Sequence, residues 1–557
     1  MSAARPALQW PAALGAWLVL ALAIGLNFPY FEQTRNANER PRLMQAMAWV
    51  DAGEWAIDGV ATRGLEAGPD TSRSAVDRRL YPNKPPGTTI AAAAGYRLAR
   101  AIHGDALTLR ALTFWARLVG GGLPTLLLAW LLWRRHAPAF GFGPTMAAVL
   151  LLVLATPMVA YAHLLYGHAL GALLLHAGIV ALADARERDG ARALAHGVAA
   201  GALAGAAVAV EYMAVFAALP IGLALLGGVI RAPRGARADA LRLTIAAVAG
   251  ALVPIALLAQ YHARVFGSPW STGYMHSTVA DFAQQHGQGL MGLTWPHWSS
   301  LQAQLLSVDA GLLWWAPVVV PAAWGLVLAA RDRDRGFEAR LHLGLVAVFL
   351  WLNASLVFDG GWRVGPRYFA LALPSFVIGW AELLGQARRH PPIVALVVAL
   401  GVYGIVVNGL AANLWPHIDV DHVDAPVSEL LLPLLEGPWR PYVAPGLVTG
   451  RDLVWLVIAV SVVTFALVML RAIEPGVRTL AALVGGTIVG IALVGMHRWL
   501  PQHPDGARNL AYVEKVWEPR GAPARSVNLR PLGGTARDDD GSGHTPVPEP
   551  RRRRREP

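Results

Sequence analysis

The chain has 557 residues and a formal net charge of +11; 55% of the residues are hydrophobic, only 15% are charged, and the mean hydropathy is +0.43. A string of soluble domains is excluded, because soluble chains carry about 25% charged residues and the apolar residues here come in blocks of bilayer-spanning length. With no cysteine, a disulfide framework, a thiolate-bound zinc and an iron–sulfur cluster are excluded, and the basic excess reads as arginine flanking membrane spans rather than as a nucleic-acid footprint.

The first apolar block, Leu8–Phe31, is longer than a signal-peptide core and is expected to be a retained span. A polar stretch follows, Glu32–Lys84, with a short amphipathic helix expected over Pro41–Ala52 and a rigid end at Tyr81-Pro82-Asn83-Lys84-Pro85-Pro86-Gly87. Ala91–Ala101 is apolar but too short to cross, and is expected to lie along the interface. Further spans are expected at about 111–133, 143–160, 168–183, 195–210, 213–230, 243–263, 310–330, 341–358, 369–386, 392–412, 452–470 and 479–497, which makes thirteen in an all-α polytopic membrane protein.

Short-loop charge sets the orientation. With the N-terminus inside, the inner segments hold eighteen arginines and the outer short loops five, so the 32–110 loop is expected to face outward. The tail from about Arg498, rich in Gly and Pro and poor in aromatics, is expected to be largely disordered.

The unusual polar residues then gather on the outer side. A carboxylate just after the first span suits general-base work on an acceptor hydroxyl; Glu39 is the first choice, with Asp70 and Asp58 behind it, and an ordinary solvated pair with Arg35, Arg40 or Arg42 is the bland alternative. Lys84, held by Pro85 and Pro86, suits a phosphate or a site carboxylate. Arg363 and Arg367, in the Gly/Pro-held segment Gly360–Tyr368, suit a phosphate at the membrane surface. Tyr81, His168 and Tyr368 complete the expected binding residues. His276, His286 and His297 with Asp281 match no metal-ligand spacing, so no metal ligand is assigned and a divalent cation is the one cofactor candidate. Glu211 and Glu382 are charges within apolar stretches, and Trp295, Trp298, Trp314 and Trp315 are expected in an interfacial aromatic belt.

Taken in order, Asn38-Glu39-Arg40-Pro41, Ala52-Gly53-Glu54-Trp55, Lys84-Pro85-Pro86 and Arg117-Leu118 resemble the polyprenyl-phosphate-dependent GT-C glycosyltransferases, in particular the protein O-mannosyltransferase-like and lipid A aminoarabinose transferase-like branches; Ser307–Leu313 and Gly365-Pro366-Arg367-Tyr368 resemble elements of bacterial members. The resemblance covers about residues 10–410. The family's acidic pair is reduced here to the single carboxylate of Asn38-Glu39, and His163 and His168 stand where many relatives have a second acidic residue.

The resemblance implies a catalytic membrane domain over 1–412, a loop and two last spans over 413–497, and a tail over 498–557. It implies a bacterial inner-membrane enzyme that moves a sugar from a polyprenyl-phosphate donor to an envelope lipid, glycan or protein acceptor on the periplasmic side. Glu39 would act as base, and Lys84 and Arg367 would hold the lipid phosphate. Nucleic acid is not an expected partner. A lipid or glycan transporter is the alternative from another class, and an assembly protein without chemistry is the third.

Overall fold

The computed structural model describes residues 9–31, 36–61, 65–289, 292–332, 336–357, 360–386, 390–437, 439, 441–443, 448–449, 452–474, 476–517 and 527. It is mostly helical, with five short strands among the described residues. Nine helices among the described residues are long and apolar enough to cross a membrane: Leu109–Phe140, Gly167–Arg186, Gly190–Val210, Tyr212–Arg231, Arg234–Phe266, Gly336–Ala354, Pro391–Asn413, Leu453–Ala472 and Val477–Trp499. Three shorter apolar helices, Ala13–Gly25, Phe142–Leu154 and Val319–Arg331, fall on further expected spans. The expected 369–386 span opens as two 3-10 turns and becomes α-helical only over Phe376–Gln386. The expected 310–330 span begins late, because the short helix Leu312–Trp315 ends ahead of Pro317 and the span starts at Val319.

Close helix packing depends on missing side chains. Gly190–Val210 lies against Arg237–Phe266 at Gly201 and Gly250, where an added Cβ would stand 1.7 Å from the Ala247 carbonyl oxygen and 2.1 Å from that of Val198. The outer face of Arg237–Phe266, with Leu252 and Leu257 exposed, and that of the neighbouring helix Ala218–Arg231, with Leu219 and Leu223 exposed, offer apolar surface to lipid.

The polar residues segregate to the two ends of the bundle. At one end Arg135 meets Asp184 at 3.0 Å, Glu187 at 2.7 Å and Glu338 at 3.1 Å, tying three spans together. The other end is built by shorter elements. Arg40–Ala52 forms the expected short helix, but it is not amphipathic, because Arg40–Ala48 are buried on every face; it stops at Gly53, whose left-handed φ of 68° suits glycine. Gly87–His103 is a longer helix than expected; it buries Ala92, Ala93, Tyr96 and Ala99 and leaves Ile90, Leu98 and Ile102 exposed. A hairpin pairs Thr71–Arg73 with Leu80–Pro82, Thr71 opposite Pro82.

The tail's first part is folded: Gly506–Tyr512 is helical, and the residues beyond 517, apart from Val527, lie outside the described residues. Trp295 and Trp298 are exposed as expected, but Trp315 is fully buried, its indole N–H donating to the Asp309 carbonyl.

Candidate active site

The hairpin register brings Asp70 beside the segment after its second strand, and the Asn83 amide donates to the Asp70 carbonyl at 3.1 Å. Pro85 and Pro86 then carry the chain into the Gly87 helix, whose start touches the end of another span: a Cβ at Gly87 would stand 2.6 Å from the Ala209 carbonyl. Lys84 is thereby held beside Asp70, Nζ to Oδ2 at 3.4 Å, and under the Tyr274 ring, 4.5 Å from its centroid. Gly273 makes that approach possible, since its Cβ would stand 2.6 Å from Asn83 Cα.

The span Gly190–Val210 ends at Glu211, and the chain turns into the 3-10 segment Tyr212–Ala217. Glu211 meets His168, at the start of Gly167–Arg186, with Oε2 3.3 Å from Nδ1. The two spans converge because Gly167 packs on the Val210 carbonyl, where a Cβ would stand at 2.6 Å. Tyr161, Tyr166 and Tyr368 surround the imidazole at centroid distances of 4.9, 5.8 and 6.1 Å. Arg367 donates to the Tyr368 hydroxyl at 2.8 Å, while its buried Nε–H has no acceptor among the described residues.

Arg42 completes the group. It reaches from the Arg40–Ala52 helix to the Leu165 carbonyl at 3.2 Å and to Asn38, and it interacts electrostatically with Glu211 and Asp70. Lys84 lies within electrostatic reach of Asp70, Arg367, Arg42 and Glu211. Three cations thus share this buried cluster with two carboxylates. Burial above all, then the nearby charges of Arg367 and Arg42, lower the Lys84 ammonium from its usual value to about 8 against the opposing pull of Asp70. His286, stacked on Tyr274 at 4.2 Å, is lowered to about 4 by burial and by Lys84, which keeps it neutral.

Glu39 lies next to this cluster in a pair of its own. Its carboxylate takes both arms of Arg117, Nε to Oε1 at 2.8 Å and Nη2 to Oε2 at 2.7 Å, and Oε1 also accepts the Leu165 amide at 2.6 Å. Burial raises its carboxyl, but the charge and hydrogen bonds of Arg117 outweigh it and hold the group below its ordinary value. The partner is Arg117, not the sequence neighbours considered for it. Arg117 directly precedes the π-helical stretch Leu118–Gly122 inside a long span, a distortion that often marks functional sites.

Of the expected site residues, Asp70, Lys84, His168, Arg367 and Tyr368 come together. Tyr81 does not join them: its hydroxyl donates to Asp77 at 2.6 Å and its ring packs with Tyr261 and Phe266. Arg363 is buried toward Tyr161 and donates to the Gly361 carbonyl; Asp359 and Arg35 lie outside the described residues. His276 contacts Ser271 and Phe266, away from His286, and no group of three metal-ligating side chains occurs among the described residues. Glu211 and Arg42 are the residues that sequence reasoning left without a role. An isolated carboxylate in an apolar stretch was the available signal for Glu211.

No family model matches the chain, and no curated protein matches it. Among solved structures it is similar to ArnT from Cupriavidus metallidurans in the apo state (16% identity, 88% of this chain and 76% of that one, TM-score 0.47). It is also similar to the arabinosyltransferase EmbB from Mycobacterium smegmatis (15% identity, 92% and 41%, TM-score 0.44) and to the archaeal oligosaccharyltransferase AglB from Archaeoglobus fulgidus in complex with an inhibitory peptide and a dolichol-phosphate (12% identity, 95% and 61%, TM-score 0.43). The chain therefore spans less than two thirds of EmbB and of AglB.

Proposed function

We propose that the protein is a GT-C-type membrane glycosyltransferase that moves a sugar from a polyprenyl-phosphate donor to an envelope lipid, glycan or protein. In this reading it has thirteen spans in the bacterial inner membrane and a site on the periplasmic side. The observation that carries the reading is the buried excess of cations: Arg42, Lys84 and Arg367 against Asp70 and Glu211. Unpaired positive charge is costly to bury, and an anionic phosphate at this cluster balances it. The Arg367 Nε–H without an acceptor supplies a ready donor to a phosphate oxygen. During transfer the phosphate gains charge as the leaving group, and fixed cations stabilise that change.

Asp70 acts as the counter-ion that Lys84 exchanges for the donor phosphate. Glu39, with both oxygens on Arg117, holds the Arg40–Ala52 helix to the bulged span instead of taking a proton.

One observation favours transport as a second reading: a buried carboxylate, Glu211, lies between the ends of two membrane helices, Gly190–Val210 and Tyr212–Arg231. Release of polyprenyl phosphate from a labelled donor by the purified protein in detergent separates the two. Acceptor-dependent release, lost in Arg367→Ala, supports transfer. No release by folded protein across a broad donor and acceptor panel supports transport.

A further inference from the structure

We propose that His168 and Glu211 form a proton-accepting dyad, in which His168 Nε2 takes the proton of the acceptor hydroxyl and Glu211 orients the imidazole through Nδ1. The inference rests on the transferase reading above and names the base that this reading needs.

The two other carboxylates near the cations are committed elsewhere. Glu39 has both oxygens on Arg117. Asp70 gives Oδ2 to Lys84 at 3.4 Å and Oδ1 to the Asn83 side-chain amide at 3.3 Å. Glu211 differs: it accepts the Met213 backbone N–H, no Lys or Arg nitrogen lies within 4 Å of it among the described residues, and its Oε2 stands 3.3 Å from the imidazole Nδ1 of His168. Both side chains are buried, and Nδ1 has no hydrogen-bond partner among the described residues. A contact of this length, short of good hydrogen-bond geometry, is usual for catalytic pairs without substrate, which tighten when it binds. With the carboxylate on Nδ1, the proton sits on Nδ1 and the lone pair on Nε2, the arrangement of a carboxylate-backed histidine base.

The surroundings suit this role. Arg42, Lys84 and Arg367, the cations of the cluster, lie within electrostatic reach of the imidazole, and Glu211 is the carboxylate at its side. The rings of Tyr161, Tyr166 and Tyr368 fix its plane. Tyr368 also carries the Arg367 contact, so the base and a cation for the leaving group share one tyrosine.

In the step, the acceptor O–H proton passes to His168 Nε2 as the acceptor oxygen bonds to the anomeric carbon. The bond from that carbon to the phosphate oxygen breaks, and its electron pair goes to the polyprenyl phosphate. The imidazolium, held beside Glu211, returns its proton to water after the product leaves.

The test uses the full-length protein in detergent with a labelled polyprenyl-phosphate sugar. His168→Gln is expected to lower kcat by about 10²–10⁴-fold, the usual effect of losing a general base, with the Kd for polyprenyl phosphate within about threefold of wild type, since kcat and binding report separate interactions. Glu211→Gln should lower kcat with the same split, and Glu211→Asp should restore part of it. Imidazole added to folded His168→Ala should recover transfer in proportion to its concentration, which a merely structural histidine would not allow. His168→Gln retaining more than about a tenth of wild-type kcat would overturn the dyad. So would donor binding and kcat falling in parallel, or the absence of any imidazole rescue. A wild-type protein that transfers no sugar overturns the transferase reading itself, and the dyad with it.

Discussion

Arg117 closes a two-armed hydrogen bond on Glu39 across 78 positions of sequence, and both side chains are almost completely buried. The pair ties the start of the Arg40–Ala52 helix to the π-bulged span, and Arg117 Nη1 adds a bond to the Pro29 carbonyl at 2.6 Å. Removing one member strands a buried charge, which costs about 3–5 kcal/mol. Arg117→Leu and Glu39→Leu should each lower stability by about that amount in detergent unfolding curves. The double variant should lose less than the sum of the two, because two apolar side chains leave no orphaned charge. Strict additivity would show that the two residues act separately.

Lys84 gives a pH dependence with a definite sign. Below about pH 8 its ammonium is charged and available to a phosphate, and the charge is lost as pH rises through that value. Affinity for polyprenyl phosphate should therefore fall above about pH 8. Lys84→Arg should remove this limb, since a guanidinium stays charged throughout. Asp70→Asn should move the limb to lower pH by removing the carboxylate that favours the charged form. The same lowered value acts on folding with the opposite trend: between about 8 and the ordinary 10.5 the unfolded chain holds a proton that the folded one lacks, so this group's contribution to stability rises with pH there. Donor affinity flat from pH 7 to 10 would remove Lys84 from the phosphate site.

Arg367 should contribute to donor binding and to turnover together. Hydrogen bonds to charged groups contribute about 1.5–3 kcal/mol, so Arg367→Ala should weaken the Kd for polyprenyl phosphate by about tenfold to a hundredfold. Arg367→Lys should recover only part of this, because an ammonium lacks the planar fork and cannot also hold the Tyr368 hydroxyl in the same geometry. Isothermal titration with the lipid phosphate reads both effects, and full recovery by lysine would argue against bidentate phosphate contact.

Orientation can be read with single cysteines in this cysteine-free chain. Val76, exposed at the hairpin turn, and Arg237, at the start of the Arg237–Phe266 helix, lie on the two expected sides. Val76→Cys should label from outside in intact cells with an impermeant thiol reagent, and Arg237→Cys only after the cells are opened. The reverse pattern would put the cation cluster on the cytoplasmic side.

Most of the architecture could be read along the chain, because a bilayer imposes a one-dimensional rule: about 20 apolar residues per crossing and arginine kept to one side. Hydropathy located the long apolar helices, but not the 3-10 opening of the 369–386 segment or the late start of the helix at Val319. The rigid Lys84-Pro85-Pro86 segment and the Gly/Pro-held Arg367 were equally legible, since proline and glycine mark backbone positions that need no partner to be recognised. The tertiary structure decided the pairings. Glu39 has arginines at positions 35, 40 and 42 within reach in sequence, yet its partner is Arg117, chosen by how a span packs on a short helix. Glu211 and His168 are 43 positions apart and meet only because Gly167 lets two spans converge. A charge in a membrane protein announces its cost in the sequence; which opposite charge offsets that cost depends on helix packing, and packing joins residues that no local pattern connects.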